Sequence, residues 1–161
     1  KANYVYDNLQ ITRLTTLPCK MTSVIRLVGQ LSNTELLASE QLGAGGSSSV
    51  RGYDPHVVNG SQGVLASVEL RSPSYSPLMA LDASIQDSGQ FLLFYDSAFV
   101  SDIYAQKDLP KSATLQSAGV GLRYGIGRHL DVQADYGWQL SAAPGSTQLG
   151  NLFNLSVTLA Y

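Results

Sequence analysis

The sequence predicts an all-β chain that forms part of an antiparallel transmembrane β-barrel, and three observations carry that reading. Charged residues make up only 14% of the 161 positions, against about 25% in soluble domains. Hydrophobic residues reach 44% but are spread evenly, with a mean hydropathy of +0.02 and no run near the roughly 20 apolar residues of a membrane helix. The third observation is period-two alternation, repeated along the chain and broken by short turns and longer polar loops. That pattern suits strands with one face in lipid and the other in a lumen. A secreted β-sandwich shares most of these numbers and is the plain rival.

Taken in order, residues 4–15 give a first, less regular strand. Residues 16–20 are a short turn holding Cys19, the single cysteine, so an intrachain disulfide or a cysteine metal cluster is excluded. Residues 21–31 place Arg26 and Gln30 on one face and Ile25 and Leu27 on the other. A long Gly- and Ser-rich loop, 32–62, follows. Residues 63–71 form the next strand, with Ser67, Glu69 and Arg71 sharing a face. Residues 72–90 are a long connection with extended strand ends, and 91–100 are strand-like again.

After a loop at 101–112, Ala118, Val120, Leu122, Tyr124 and Ile126 alternate with Ser117, Gly119, Gly121, Arg123 and Gly125. Gly127, Arg128 and His129 make a tight turn. Leu130, Val132, Ala134, Tyr136, Trp138 and Leu140 then form an apolar face opposite Asp131, Gln133, Asp135, Gly137 and Gln139, with aromatics toward one end where a membrane girdle falls. Past a loop at 141–149, Phe153, Leu155, Val157, Leu159 and Tyr161 alternate with small or polar residues up to the last position. This ending resembles the C-terminal signal by which bacterial outer-membrane proteins are recognised for insertion.

Seven strands result. Short turns lie on one side and long loops on the other, as in bacterial outer-membrane barrels, with 72–90 as the exception on the short-turn side. Seven is fewer than the eight or more of a single-chain barrel, and an open edge in a bilayer leaves backbone groups unsatisfied. The expectation is therefore that further N-terminal strands complete the barrel, and that this piece does not close by itself. The start at Lys1, without an initiator Met or signal peptide, points the same way, to a piece of a longer secreted precursor.

The most distinctive stretch is Ser47-Ser48-Ser49-Val50-Arg51-Gly52-Tyr53, at the tip of the 32–62 loop. A cation on a glycine-hinged tip between membrane strands fits a loop folded into a lumen; taken alone, without the flanking motifs, Arg51 reads more readily as an ordinary exposed turn arginine. Ser39-Glu40-Gln41, Gly45-Gly46, Val50-Arg51-Gly52-Tyr53, Gly63 to Glu69-Leu70-Arg71, Phe94-Tyr95-Asp96 and Ser117 to Arg123 stand in an order that resembles the C-terminal barrel half of two-partner-secretion transporters. These are the TpsB proteins, of the haemolysin-activator and filamentous-haemagglutinin-transporter type, within the superfamily that includes the barrel-assembly proteins. The similarity runs from about Tyr4 to Tyr161.

The resemblance implies a barrel of about 16 strands behind periplasmic POTRA domains, of which residues 1–161 supply the last strands as one C-terminal part. It implies that the long loop enters the lumen and that Arg51 pairs with Asp96, with Glu69, Arg71 and Phe94 in the surrounding lumen network. Ala98 departs from the pattern, standing where the family has the final glycine of an F-x-D-x-G motif. The implied function is an outer-membrane translocase without catalysis, exporting an unfolded adhesin- or haemolysin-type exoprotein. An assembly factor (insertase) of the same superfamily is the first alternative, and a passive porin or adhesin barrel the second. The implied partners are that exoprotein, outer-membrane lipid and lipopolysaccharide, and the barrel-assembly machinery acting through the C-terminal strand.

Other chemistry finds no footing. The net charge of −2 gives no basic footprint for nucleic acid. His56 and His129 fall in loops without metal-ligand spacing, so no metal and no cofactor is expected. Asp82, Asp87, Asp102 and Asp108 read as solvated loop residues. No G-x-S-x-G elbow is present, and Gly43-Ala44-Gly45-Gly46 lacks the Lys-Ser/Thr of a phosphate loop.

Overall fold

In a computed structural model, which describes residues 4–104 and 111–160, the chain is one curved antiparallel sheet of seven strands with a loop folded against its concave face. The sheet strands are β1 (Tyr6–Thr16), β2 (Thr22–Ser32), β5 (Gln62–Arg71), β6 (Asp87–Ser101), β7 (Ser112–Ile126), β8 (Leu130–Gln139) and β9 (Asn151–Leu159). Each pairs only with its neighbours in the order β1-β2-β5-β6-β7-β8-β9, leaving β1 and β9 as edges. Inside the long loop, β3 (Leu42–Ala44) and β4 (Val58–Gly60) form a separate hairpin. Alternation did not reveal it, because three-residue strands containing Gly43 and Gly60 carry too little β-forming sequence.

The register assigns a side to every residue. Glu69 faces Phe94, Ser67 faces Asp96, and Asp96 faces Ser117 across the ladder, so these share the concave face with Gly119, Asp135 and Asn154. The opposite face carries Ile11, Leu27, Val68, Leu93, Tyr95, Val120, Trp138, Leu155 and Val157, all exposed. A soluble sandwich covers such a face with a second sheet; among the described residues no second sheet lies over it. Apolar outside and polar inside is the arrangement of a membrane barrel wall.

Two strands start earlier than alternation implied. β6 begins at Asp87 and β7 at Ser112, because the convex positions in those extensions (Asp87, Gly89, Ser112, Thr114, Gln116) are not apolar and give no signal. Beyond the apolar band the pattern inverts: Ala98, Val100 and Leu115 turn inward and pack with Ala44, Val50 and Tyr53 of the loop. This is the principal core, and it exists to hold the loop.

The other end of the sheet has close connections at Pro18–Lys20, where Cys19 adopts φ 61° and is exposed, and at Gly127 (φ 53°). Asp87 is not a solvated loop residue: it is 6% exposed and bound by the backbone N–H groups of Leu78 and Met79. Asp102 is likewise half-buried, accepting the Ser61 N–H at 3.1 Å. Asp82 is exposed and capped by Ser84, while Asp108 and Tyr161 lie outside the described residues.

Candidate functional site

The loop from 33 to 61 is shaped before it reaches its seat. Gln30 Nε2 donates to the carbonyls of Glu40 and Ser61, and Leu36 N–H donates to Ser61 Oγ, closing the loop at its base. Nearer the tip, Gly46 N–H bonds the Tyr53 carbonyl and Ser49 Oγ bridges Gly45 N–H and C=O. These bonds satisfy the backbone of a segment pressed into the concave face, where water cannot do so.

At the tip Arg51 is 4% exposed and Asp96 fully buried. Arg51 Nε and Nη2 contact the two oxygens of Asp96 at 2.8 and 2.9 Å, and the Arg51 backbone N–H adds a third bond at 3.1 Å. Nη1 donates to Glu69 at 2.7 Å and lies 3.6 Å from Asp135. The guanidinium carbon sits 3.6 Å over the centre of the Phe94 ring, a cation–π contact inside a desolvated site. Only a planar fork with five donors can satisfy carboxylates from three strands in this way.

Two further arginines complete the network. Arg71 forks onto Glu69 at 2.9 and 2.6 Å, and Arg123 onto Asp135 at 3.0 Å through both nitrogens. Three guanidiniums thus face three carboxylates (Glu69, Asp96 and Asp135), so the seat is charge-balanced only while the loop is in place. Burying any member unpaired costs more than the pair gains. Ser67 Oγ supports Asp96 at 2.7 Å.

The rest of the tip rests on β8. Gly52 has φ 94° and lies against the backbone of Gly137, where an added Cβ would meet Gly52 N at 2.7 Å. Gln139 Nε2 donates to the Gly52 carbonyl at 2.8 Å. Tyr53 is fully buried, its hydroxyl 2.7 Å from the Gln116 carbonyl and 2.6 Å from the Ser141 carbonyl. The Ala98 methyl does not push the tip away; it packs in the cluster holding Val50 and Tyr53. Gly119 performs a related service, since a side chain there would strike the Phe94 ring.

The structure therefore brings together Val50, Arg51, Gly52, Tyr53, Glu69, Arg71, Phe94 and Asp96. Phe153, Leu155, Val157 and Leu159 lie elsewhere, exposed on the convex face of β9. Sequence reading gave no site role to Asp135, Arg123, Gly137, Gln139 and Ser141. The signal was present in the polar face of β8, but nothing in one strand says what it meets across the lumen.

A second contact ties the loop base to the β6–β7 connection. Glu35 accepts the Tyr104 N–H at 3.3 Å, and Asp102 lies beside Glu35. Burial first, and then the Glu35 carboxylate, push the Asp102 pKa above its ordinary value, against the Ser61 N–H, which favours the anion. Among the described residues no cluster of three or more His, Cys, Asp or Glu is placed to hold a metal.

Known proteins place this architecture. Among curated protein sequences none matches the chain. Among solved structures, CdiB from Acinetobacter baumannii superposes with a TM-score of 0.72 over 98% of this chain at 22% identity, so the two share a fold. The chain spans 27% of the length of that protein. The model of the haemolysin secretion/activation protein family ShlB/FhaC/HecB matches residues 8–124, well over half of the sequence, and the chain belongs to that family.

Proposed function

We propose that residues 1–161 are the C-terminal part of a single outer-membrane barrel through which an unfolded exoprotein of adhesin or haemolysin type reaches the cell surface. The observation that carries this reading is the seating of Arg51 among Asp96, Glu69 and Asp135 on the concave face. A loop fixed there occupies the space a passing polypeptide needs. Its anchor is reversible, built from ion pairs and from hydrogen bonds to backbone instead of a covalent tie. Arg51 and Asp96 act as a latch and no catalytic step is involved. The convex face meets lipid and lipopolysaccharide, and Phe153, Leu155, Val157 and Leu159 present the barrel-assembly machinery with its insertion signal.

An assembly factor that folds other barrels uses a similar loop, and membership of a secretion-protein family favours export over that alternative and over a passive pore. The test is secretion of the cognate exoprotein by the full-length transporter carrying Arg51→Ala or Asp96→Ala, in barrels shown to be inserted by heat-modifiable mobility. Loss of secretion with normal insertion supports the latch. Unchanged secretion in both variants overturns it.

A further inference from the structure

One segment has no part in the loop seat: residues 72–86, the long connection on the side where the other turns are close. Its path is well defined. Ser72 N–H bonds the Phe91 carbonyl at 2.8 Å, and Tyr75 and Gly89 exchange backbone bonds of 2.9 and 2.7 Å, carrying the sheet beyond β5. The Tyr75 ring lies over Gly89 and stacks on Phe91 with centroids 5.2 Å apart and planes 13° from parallel. Phe91 belongs to the convex face with Leu93 and Tyr95, so Tyr75 belongs there too.

The following turn keeps to the same side. Asp87 shares the face of Gly89 and Phe91 by the two-residue period, and Tyr124 of β7 donates to it at 2.8 Å from that face. The N–H groups of Leu78 and Met79 reach the Asp87 carboxylate at 3.0 and 2.9 Å, and Ser76 Oγ reaches its carbonyl at 2.7 Å. Asp82 N–H closes the turn on the Leu78 carbonyl at 2.8 Å. The turn is thus laid against the convex face and away from the lumen.

Its chemistry fits that side. Residues 72–81 contain no charge, yet Met79 is 54% and Leu81 84% exposed. Tyr75, Phe91 and Tyr124 form an aromatic rim just inside the turn, and phenolic rings favour the boundary between headgroups and acyl chains. From Phe91 to Phe99 the convex face runs eight residues, about 27 Å along the strand and roughly 19–22 Å of height at a barrel strand's tilt of about 35–45°, most of the roughly 25 Å height of a barrel's apolar band. The turn therefore hangs at the edge of that band.

We infer that residues 72–81 form an interfacial anchor, placing Met79 and Leu81 in the headgroup–acyl boundary of the phospholipid leaflet on the turn side. The anchor rests on the reading of the convex face as lipid-facing, and it fixes the depth of the barrel independently of the lumen loop. Asp87 makes it possible: the carboxylate organises the turn through backbone donors and is itself shielded from lipid by it.

The test uses the full-length transporter freed of other cysteines, with Cys19→Ser, and a single environment-sensitive fluorophore on Leu81→Cys or, separately, Met79→Cys. Both positions are exposed, so folding is not at stake. Leu93→Cys, inside the apolar band on the convex face and read with lipids brominated along the acyl chain, serves as reference. In phosphatidylcholine vesicles, lipids brominated near the headgroup are expected to quench the Leu81 and Met79 probes at least twofold, while aqueous iodide does not. Quenching by iodide overturns the anchor, with or without quenching by the bromolipid, placing the turn in water. Quenching by neither also overturns it, showing the turn covered by protein. In both of those cases a bromine-quenched Leu93 probe shows that the lipid-facing reading survives; an unquenched Leu93 probe overturns that reading and the anchor together.

Discussion

Strand β6 carries two buried carboxylates on opposite faces, and they are satisfied in opposite ways. Asp96, on the concave face, takes a guanidinium delivered by a loop 45 residues away in sequence. Asp87, on the convex face, takes two backbone N–H groups from the turn just before it and a tyrosine hydroxyl from the neighbouring strand. The first arrangement compensates charge with charge and depends on a distant segment staying docked. The second uses neutral donors from residues that are always close by. A long-range ionic anchor can be released as a unit, whereas a local backbone cradle persists as long as the turn does. The same residue type on one strand thus serves a movable part on one face and a fixed part on the other.

The largest effect that would break this comparison comes from the concave side. Asp96→Ala leaves Arg51 buried without its main partner, a change that costs about 3–5 kcal/mol when one member of a buried pair is removed. The tip is expected to leave its seat, so a Val50→Cys probe, at a position fully buried while the tip is docked, should become reactive toward a water-soluble maleimide while barrel insertion is retained. Arg51→Ala with Asp96→Ala should be far less than additive, because the two share one interaction.

Gly137→Ala comes next and tests the β8 half of the seat without touching a charge. The new methyl would lie 2.7 Å from Gly52 N and 2.8 Å from Arg51 C, so the tip must rise or β8 must bend, at about 1–3 kcal/mol for an overpacked contact. The same labelling assay should register partial exposure of the tip. Arg51→Lys is expected to fall below it: the charge remains, but one ammonium cannot fork onto Asp96 and also hold Glu69. Asp87→Ala provides the contrast. It should raise proteolysis within residues 76–86 and leave Val50→Cys labelling unchanged, since its partners are all on the convex side.

How much of this was legible beforehand follows from which contacts are local. The faces of β2, β5, β7, β8 and β9 read directly from alternation, because lipid and lumen impose opposite chemistry on successive residues. Arg51 and Asp96 could be joined only through a resemblance in motif order, which stands in for three-dimensional knowledge that alternation lacks. Asp135 and Gly137 stood in plain view on the polar face of β8. Nothing in that strand reveals that the sheet curves enough to bring it under a loop tip seated on β6. Asp87 was misread for the complementary reason: its donors are backbone groups of a turn, invisible in residue identities, and no apolar alternation announces the start of β6.

The smallest expected effect concerns the loop base, and its sign follows from protonation. Asp102 has its pKa raised in the folded chain, by burial first and by Glu35. Between the ordinary carboxylate value and the raised one, the native state therefore binds more protons than the unfolded chain. Stability falls as pH rises through that window, and above it the penalty is constant. Asp102→Asn removes the charge while keeping an acceptor for the Ser61 N–H, which the wild-type residue binds at 3.1 Å. At neutral pH the variant should therefore hold the loop base more firmly than wild type, by under about 1 kcal/mol for so solvent-screened a pair. Below the ordinary carboxylate pKa the two should converge. Limited proteolysis of the loop at pH 7.5 and at pH 3 gives the comparison, and a variant cut faster than wild type at neutral pH would show that Asp102 serves the loop as an anion. In that case the base, like the tip, would be held by charge, and the contrast between anchored and latched parts of the loop would move to the β3–β4 hairpin.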